Sequence, residues 1–279
     1  MSHLILDNEP TIRLGFFFGI LAVMAFWEKF APRRPLSTSK KNRWFSNLSI
    51  VAIDTLVLRL LLPGTAVSVA IYAQKQGWGV LNWVALPQWV AVVLGVAALD
   101  LVIYLQHVMF HAVPALWRLH MMHHTDLDFD VTTGVRFHPV EILLSMGIKI
   151  AAVVLLGVSA LGVVIFEILL NGTSMFNHGN VRFHVGIDRW LRFLVVTPEM
   201  HRVHHSVIIR ETNSNFGFNL PWWDRLLGTY KSQPAAGHAG MTIGLSHFRD
   251  PKRLTLLWLL ALPFIEKPGK YPFSLGNRP

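Results

Sequence analysis

The sequence predicts an all-α, multi-pass integral membrane protein whose helices hold a histidine-rich cap on the cytoplasmic side. Three observations predict it: 52% of the 279 residues are hydrophobic, only 15% are charged, and 14 are histidines. A soluble domain carries about 25% charged residues. We therefore expect a chain with so few charges to expose much of its surface to lipid rather than to water.

Four apolar regions predict the membrane-spanning helices. The fourth is about twice as long as the ~20 residues that one spanning helix needs, and its central segment Gly157–Gly162 predicts a hairpin of two arms. A shorter apolar stretch, Leu254–Phe264, is predicted to lie at the membrane interface or to pack on the body. The four regions cover residues 14–27, 45–73, 80–105 and 140–178.

The distribution of charge predicts the orientation. The formal net charge of +9 would suit a nucleic-acid partner, but in a hydrophobic chain it indicates basic loops that face anionic lipid, so we predict no nucleic-acid binding. The loop after the second apolar region holds only Lys75. Because basic loops stay in the cytoplasm, we expect the N-terminus outside and the cap inside. The loop after the first region is the basic one, with Lys29, Arg33, Arg34, Lys40, Lys41 and Arg43.

The histidines predict a metal site. Spacings of three and four residues place side chains on one face of a helix, and eight or more clustered imidazoles are too many for one ion, so two are predicted. The chain has no cysteine, which excludes thiolate ligands, a cysteine nucleophile and a disulfide scaffold. His3, His238 and His247 are interpreted as structural. The remaining histidines form His107-x3-His111, His120-x2-His123-His124 and His201-x2-His204-His205, with His138, His178 and His184 between them.

Imidazole ligands alone leave two chemistries open. A nitrogen-rich shell can support oxygen activation or Lewis-acid hydrolysis of a lipid ester or phosphate. A non-enzymatic metal carrier or heme-binding electron-transfer protein is a third reading. It is disfavoured because the histidines cluster at the ends of spans rather than at mid-membrane depth or on facing spans.

Several motifs around these histidines resemble the fatty acid hydroxylase superfamily, which includes sterol desaturases and C4-sterol methyl oxidases. The resemblance covers roughly residues 95–231, whereas residues 1–90 match only as generic spans. It rests on Asp100-Leu101 to His111, Leu116-Trp117-Arg118 to His124, Arg136-Phe137-His138-Pro139-Val140-Glu141, Asn177-His178, Thr197-Pro198 to His205, Asn215-Phe216-Gly217 and Trp223-Asp224-Arg225-Leu226-Leu227-Gly228-Thr229-Tyr230.

The resemblance implies a non-heme di-iron oxidoreductase that uses O2 to hydroxylate or desaturate a lipid, sterol-like or fatty acyl. Zinc can occupy the same imidazole sites in isolated protein. A separate electron donor is implied, of the cytochrome b5, ferredoxin or reductase type. No catalytic residue is predicted beyond the metal ligands. The implied ligands are His107, His111, His120, His123, His124, His138, His178, His201, His204 and His205.

Some details of the site remain hypotheses. Some family hydroxylases have a second histidine four residues after the isolated one, where this chain has Arg182. We expect His138 rather than His184 to complete the set, unless the set is smaller. One metal is expected to be held mainly by the first two histidine groups and the other mainly by the third group with His178. Metal-bound imidazoles usually donate their other N–H to a carboxylate or carbonyl; the candidate partners are Asp100, Asn177 and Asp224, followed by Asp126, Asp130 and Glu141.

The predicted organisation is a single membrane-embedded domain. It comprises N-terminal transmembrane helices over 1–95, a fatty acid hydroxylase-like catalytic region over 96–250 and an interfacial tail over 251–279. One geometric condition follows from the two-metal hypothesis. Residues 107–124 and 201–205 meet at one site only if the segment 140–178 between them crosses the membrane an even number of times.

Overall fold

All regular secondary structure is helical in the part of the chain that the computed structural model describes, residues 2–62 and 64–272. Three 3-10 turns, Val80–Asn82, Thr133–Val135 and Pro251–Arg253, join the α-helices, and no strand forms among these residues. The α-helices are α1 (Ser2–Asp7), α2 (Glu9–Phe30), α3 (Lys40–Leu61), α4 (Ala66–Lys75), α5 (Gln88–Ala112), α6 (Pro114–His124), α7 (Pro139–Leu156), α8 (Ala160–Asn177), α9 (Val185–Leu191), α10 (Pro198–His204), α11 (Ile209–Thr212), α12 (Trp222–Leu226), α13 (Gly237–Gly240) and α14 (Leu256–Ile265).

Among the described residues, five segments are long and apolar enough to cross a bilayer, which confirms the predicted membrane fold: α2, α3 with α4, α5, α7 and α8. The third apolar region starts at Val80, and its spanning helix starts eight residues later. Helix α5 begins at Gln88. The reason is local, since Pro87 disfavours helical backbone in the residue before it. The predicted domain boundary at residues 95 and 96 therefore falls inside α5.

Helices α7 and α8 form the predicted hairpin. The bend at Gly157 has φ 73°, the left-handed region that glycine adopts without steric cost. Ser159 then begins α8 as its N-cap, accepting a hydrogen bond from the amide of Gly162. Helix α7 therefore leads away from the cap and α8 leads back to it. The segment between the histidine groups thus leaves the cap and returns to it on the same side of the molecule, as the two-metal hypothesis requires.

The close approach of two glycines marks the end of the molecule opposite the cap. A Cβ atom at Gly79 would lie 2.1 Å from the amide nitrogen of Gly157, so no larger residue fits there. Gly79 leads into α5 and Gly157 ends α7, so the turn between α4 and α5 and the hairpin bend lie at one end. The histidine groups on α5 and α6 lie at the other.

A chain of charges inside the membrane region ties α2 to the hairpin. Arg13 lies 2.5 Å from Glu9 and 2.9 Å from Glu167, and Lys149 pairs with the other oxygen of Glu167. Two cations and two anions balance one another. Charges in the hydrocarbon are costly unless they are paired in this way.

The C-terminal apolar stretch forms α14 and packs on the body, one of the two predicted arrangements. Leu259 and Leu262 are buried in a cluster with Trp117 and Met121. Arg118 donates a hydrogen bond of 2.6 Å to the carbonyl of Pro263. Helix α14 thereby covers α6, which carries three of the histidines.

Candidate metal centre

Nine histidines come together where the helices end at the cap. Helix α5 supplies His107 and His111 from its last two turns, and His178 is the C-cap residue directly after α8. None of the nine is more than 3% exposed. The other six come in two runs of identical spacing, His120, His123 and His124 in α6, and His201, His204 and His205 at the end of α10.

The nine side chains divide into two groups that share a border. In each group the ligand atoms lie within 4.8 Å of one another. The groups touch, since the rings of His124 and His205 stack with centroids 4.6 Å apart. The five-histidine group consists of His107, His111, His120, His124 and His204, and the four-histidine group of His123, His178, His201 and His205.

The nine histidines divide between the two groups as expected, except that His123 and His204 each lie in the other group. The first two sequence groups supply most of the five, and the third group with His178 supplies most of the four. However, His204 joins the five and His123 joins the four. Adjacent residues on one helix project in different directions, and α6 and α10 therefore each serve both groups.

The structure does not bring His138 to either group, although the sequence analysis favoured it as a ligand. Its Nδ1 accepts a hydrogen bond from the amide of Val140 as the N-cap of α7, and its Nε2 lies 3.1 Å from the carbonyl of Leu260. Both ring nitrogens are therefore engaged elsewhere. The alternative, His184, is exposed and caps α9 through the amide of Gly186.

The other three histidines have different positions. His238 is buried beside Glu199, with its Nε2 atom 2.9 Å from the carboxylate, and His247 is exposed against Phe248. Both lie outside the two groups, as the structural interpretation of these residues requires. The side chain of His3 lies outside the described part of the structure.

Hydrogen bonds fix the ring orientation of most of the nine imidazoles. The Nδ1 atoms of His107, His178 and His204 lie 2.7, 2.7 and 2.8 Å from the backbone carbonyls of Phe216, Ser174 and Ser214. A carbonyl only accepts, so these Nδ1 atoms carry the hydrogen. The neutral ring then turns a bare Nε2 lone pair toward its group.

Two further imidazoles have side-chain partners. His120 Nδ1 lies 2.6 Å from Oε1 of Glu141, and His111 Nδ1 lies 3.0 Å from Oδ1 of Asn213. The amide of Asn213 is oriented by its own donation to the carbonyl of Tyr271 at 2.8 Å. In both histidines Nε2 is again the free acceptor that faces the group.

The lone pairs point at one another at short range. His107 Nε2 lies 3.1 Å from His120 Nε2, and His178 Nε2 lies 3.1–3.2 Å from Nε2 of His123, His201 and His205. Such contacts are unfavourable unless a cation sits between them. Neighbouring nitrogens bound to one ion at 2.0–2.1 Å are roughly 2.8–3.4 Å apart for bond angles from a right angle to the tetrahedral value. The residues therefore fit a metal ion in each group.

Burial keeps these ligands neutral, as metal binding requires. It lowers the pKa of His120 and of His178 to about 3. Burial, together with the proximity of other imidazoles, holds the pKa well below its usual range in the rest of the histidines on the cap helices, namely His123, His124, His201, His204 and His205.

Among the predicted carboxylate partners, Glu141 is the one that contacts a histidine of either group in the described structure. Asp224 contacts His107 only indirectly, through Phe216. Its carboxylate oxygens accept hydrogen bonds from the backbone amides of Phe216 and Gly217 at 2.8 and 2.9 Å, and the backbone carbonyl of Phe216 accepts a hydrogen bond from His107. Asn177 donates to the carbonyl of Phe218 at 3.1 Å. These residues hold the segment that surrounds the site.

Asp100 also anchors this segment rather than a histidine. Its carboxylate accepts from Asn219 Nδ2 at 2.8 Å, from the amide of Leu220 at 3.1 Å and from Trp223 Nε1 at 2.8 Å. An acid inside an apolar helix is expensive, and these three donors compensate for it. Asp100 thereby attaches the loop after α11 to α5.

Asp126 and Asp130 bind an arginine of the basic loop. Arg43 Nε and one terminal nitrogen lie 2.6 and 2.9 Å from the two oxygens of Asp126, and its other terminal nitrogen lies 2.7 Å from Asp130. Arg43 is only 4% exposed. The basic loop therefore packs against the cap through Arg43. It also carries most of the lysines and arginines from which the cytoplasmic orientation is predicted.

Sequence reasoning missed the partners supplied by the backbone and by Asn213. The carbonyls of Ser174, Ser214, Phe216 and Arg136 serve as acceptors for histidines, and a backbone carbonyl carries no mark in the sequence. Asn213 lies two residues before the motif Asn215-Phe216-Gly217, one of those that carried the resemblance. Its proximity to His111 depends on the folding of α11 against α10.

Comparison with known proteins agrees with this site. The sequence profile of the family named Fatty acid hydroxylase matches residues 92–229. Ornithine lipid hydroxylase OlsE of Rhizobium tropici is 32% identical over 143 residues, which are 51% of this chain and 42% of that protein. Alkylglycerol monooxygenase of Homo sapiens is 27% identical over 173 residues, 62% of this chain and 37% of that protein.

A second alkylglycerol monooxygenase, from Xenopus tropicalis, is 28% identical over 169 residues, 60% of this chain and 36% of that protein. The chain thus spans about two fifths of the length of these relatives. No solved structure matches the chain. The matched region contains every histidine of the two groups. Residues 92–229, 138 of the 279, therefore match the fatty acid hydroxylase family, the resemblance that the motifs predicted.

Proposed function

We propose that this protein is a di-iron membrane oxidoreductase that uses O2 and external electrons to hydroxylate or desaturate a lipid. The observation that carries the proposal is the pair of abutting, fully buried imidazole groups, five and four in number. Imidazole is a suitable ligand for iron, and a shell of this size is large enough for two ions. The match to this family supports the same reaction class.

The names of the relatives support a lipid substrate. Both relatives act on lipids by name, one as an ornithine lipid hydroxylase and one as an alkylglycerol monooxygenase. The five apolar segments support a site beside a bilayer, where a lipid would reach it without entering water. Sterol-like and fatty acyl substrates both fit this location.

Two bound iron ions would supply O2 activation, so that one oxygen atom enters a C–H bond and the other leaves as water with two electrons and two protons. Removal of a second hydrogen instead of oxygen insertion would give a double bond. The electrons come from a separate donor protein of the cytochrome b5, ferredoxin or reductase type.

The residues of this chain bind the metal ions, orient the imidazole ligands and exclude water from the site. Hydrogen bonds at Nδ1 keep the imidazoles neutral and aimed, and the burial of all nine rings excludes bulk water. Aromatic rings line the centre: Phe137 stacks on His123 at 4.5 Å between centroids, and Phe218 lies 5.0 Å from His107. These apolar walls suit a hydrocarbon substrate.

The proposed orientation places the metal centre on the cytoplasmic side and the N-terminus outside. The basic loop between α2 and α3 lies at the histidine end, whereas residues 76–87 at the other end contain no lysine or arginine. The excess of lysine and arginine marks the cytoplasmic end. A soluble electron donor would then reach the cap directly.

The decisive experiment compares lipids from cells with and without the protein under 18O2. We expect one lipid to gain a single labelled oxygen, or to lose two hydrogens, and expect the change to vanish with His204→Ala. His247→Ala is the matched control, because its imidazole is exposed and lies outside both groups. A product that forms without O2 and reductant, with oxygen from water, would instead establish the hydrolase.

A further inference from the structure

Helix α9 presents an apolar face that no other described part of the chain covers. Trp190 is 75% exposed and Val185 is 81% exposed, and the turn that follows the helix leaves Phe193 and Leu194 exposed as well. The opposite face is anchored, because Asp188 accepts a hydrogen bond of 2.6 Å from Thr197, the N-cap of α10. A folded, anchored helix thus shows its hydrophobic side outward.

Helix α12 extends this face. Trp222 donates from its indole nitrogen to the carbonyl of Phe193 at 2.6 Å, and the guanidinium of Arg225 lies 5.0 Å from the Phe193 ring centroid. Leu226 is 74% exposed beside them. The two helices therefore form one continuous surface, here called the α9–α12 face, of Val185, Ile187, Trp190, Phe193, Leu194 and, from α12, Trp222, Leu226 and Leu227.

The α9–α12 face lies beside the spans rather than above them. Trp223, within α12, donates to Asp100 of α5. A helix that enters the hydrocarbon at Gln88 reaches Asp100 after about 18 Å, inside a core that is ~30 Å thick. The exposed Trp89 at the start of α5 is the type of residue that marks this boundary. The face is thus continuous with the lipid-facing surface of the spans.

The charges around the face are basic. Arg182, Arg189 and Arg225 are exposed, whereas the nearby acids are buried and paired, Asp188 with Arg192 at 2.7 Å and Asp224 with backbone amides. Exposed arginines beside exposed tryptophan and leucine side chains are typical of helices that lie in the membrane interface. The exposed positive charge complements anionic headgroups.

We propose that the α9–α12 face is a membrane-docking surface that lies in the headgroup–acyl boundary of a leaflet containing anionic lipid. The face would dip into the leaflet on the side of the histidine groups and hold α10, with its three histidines, close to the bilayer surface. This inference does not depend on which metal the site binds or on which reaction it performs.

The absence of cysteine makes the test direct, since single-cysteine variants carry one spin label each. The probes are Trp190→Cys and Leu226→Cys, both at strongly exposed positions. Leu94→Cys, exposed in the span α5, is the lipid reference, and Lys252→Cys, exposed in the 3-10 turn Pro251–Arg253, is the aqueous reference. The full chain is reconstituted in phosphatidylcholine vesicles with and without phosphatidylglycerol.

We expect the labels at 190 and 226 to collide with O2 and to be shielded from a water-soluble nickel chelate, as the label at 94 is. They should lie deeper in vesicles with phosphatidylglycerol, and Arg182→Gln/Arg189→Gln should remove that difference. Labels as accessible to nickel as the one at 252 would overturn the proposal. So would spin–spin broadening between labels of two copies, which would make the face a protein interface. If the labels at 190 and 226 lie at equal depth in neutral and anionic vesicles, the proposed preference for anionic lipid is wrong.

Discussion

His120 and Glu141 are joined by a hydrogen bond of 2.6 Å between Nδ1 and Oε1, both side chains being buried. The bond links α6, which carries three histidines, to the first turn of α7, the entry to the hairpin. It fixes the direction of the His120 ring and raises the electron density on its ligand nitrogen. Glu141 therefore positions a ligand without being one.

Replacing Glu141 tests this role. Loss of a hydrogen-bond partner of a metal-bound imidazole typically costs 10–100-fold in metal affinity. We expect Glu141→Leu to lose roughly that much, and Glu141→Gln less, because its amide oxygen still accepts from Nδ1. Chelator competition on the isolated protein measures the affinity. If the Glu141→Leu variant and the unmodified protein have equal affinities for the metal, Glu141 does not position His120.

The contrast between His138 and His123 tests the ligand set. His123 lies in the four-histidine group, and His138 lies in neither group. His123→Ala should lose bound metal almost completely, whereas His138→Ala should retain it while losing some thermal stability, because His138 caps α7 and contacts α14. Metal content per chain, measured by mass spectrometry of the elements, distinguishes them. Equal loss in both variants would return His138 to the ligand set.

Arg43 should be the most important residue of the basic loop for stability. Removing one partner of a buried ion pair costs about 3–5 kcal/mol, and Arg43→Met would leave Asp126 and Asp130 without their cation. We expect a large fall in the thermal midpoint in detergent. Lys41→Met, two residues away and exposed, is the matched control and should change little. Similar midpoints for the two variants would contradict this account.

Acid should destabilise the metal-free protein through its buried histidines. Their pKa is lowered by burial, in His120 and His178 to about 3, whereas the unfolded chain binds these protons near pH 6.5. Stability is therefore complete above about pH 6.5 and falls as the pH drops toward 3, by about 1.4 kcal/mol per pH unit for each such histidine. Unfolding of the apoprotein between pH 7 and 4 measures this slope, and His120→Gln should reduce it. A flat profile would contradict the assignment.

The spacing of the histidines was enough to predict eight of the nine that gather at the centre, because helical periodicity fixes which side chains share a face. The ninth, His178, was predicted from the family resemblance alone. His138 was misplaced because its motif places it directly before Pro139, the first residue of α7, where a side chain caps the helix instead of reaching inward. The split of His123 from His124 depends on how α6 and α10 pack, which no local pattern contains.

The spans show the same limit. The apolar runs predicted the number of crossings and the hairpin, whereas the start of α5 depended on Pro87 and on the close approach of Gly79 to Gly157. The docking of Arg43 on the cap was also beyond prediction. A basic residue in a loop looks the same in sequence whether it faces water or two buried carboxylates.

The two neighbouring pairs His123–His124 and His204–His205 each send one imidazole to either group. Binding of a first metal ion would order α6 and α10, and this would also order two histidine ligands of the second metal ion. The conformational entropy lost on ordering these helices therefore opposes the binding of the first ion but not of the second. Loading should accordingly be positively cooperative, with a singly loaded species scarce at half saturation. By reciprocity, extraction of one ion would weaken the hold on its neighbour by the same factor.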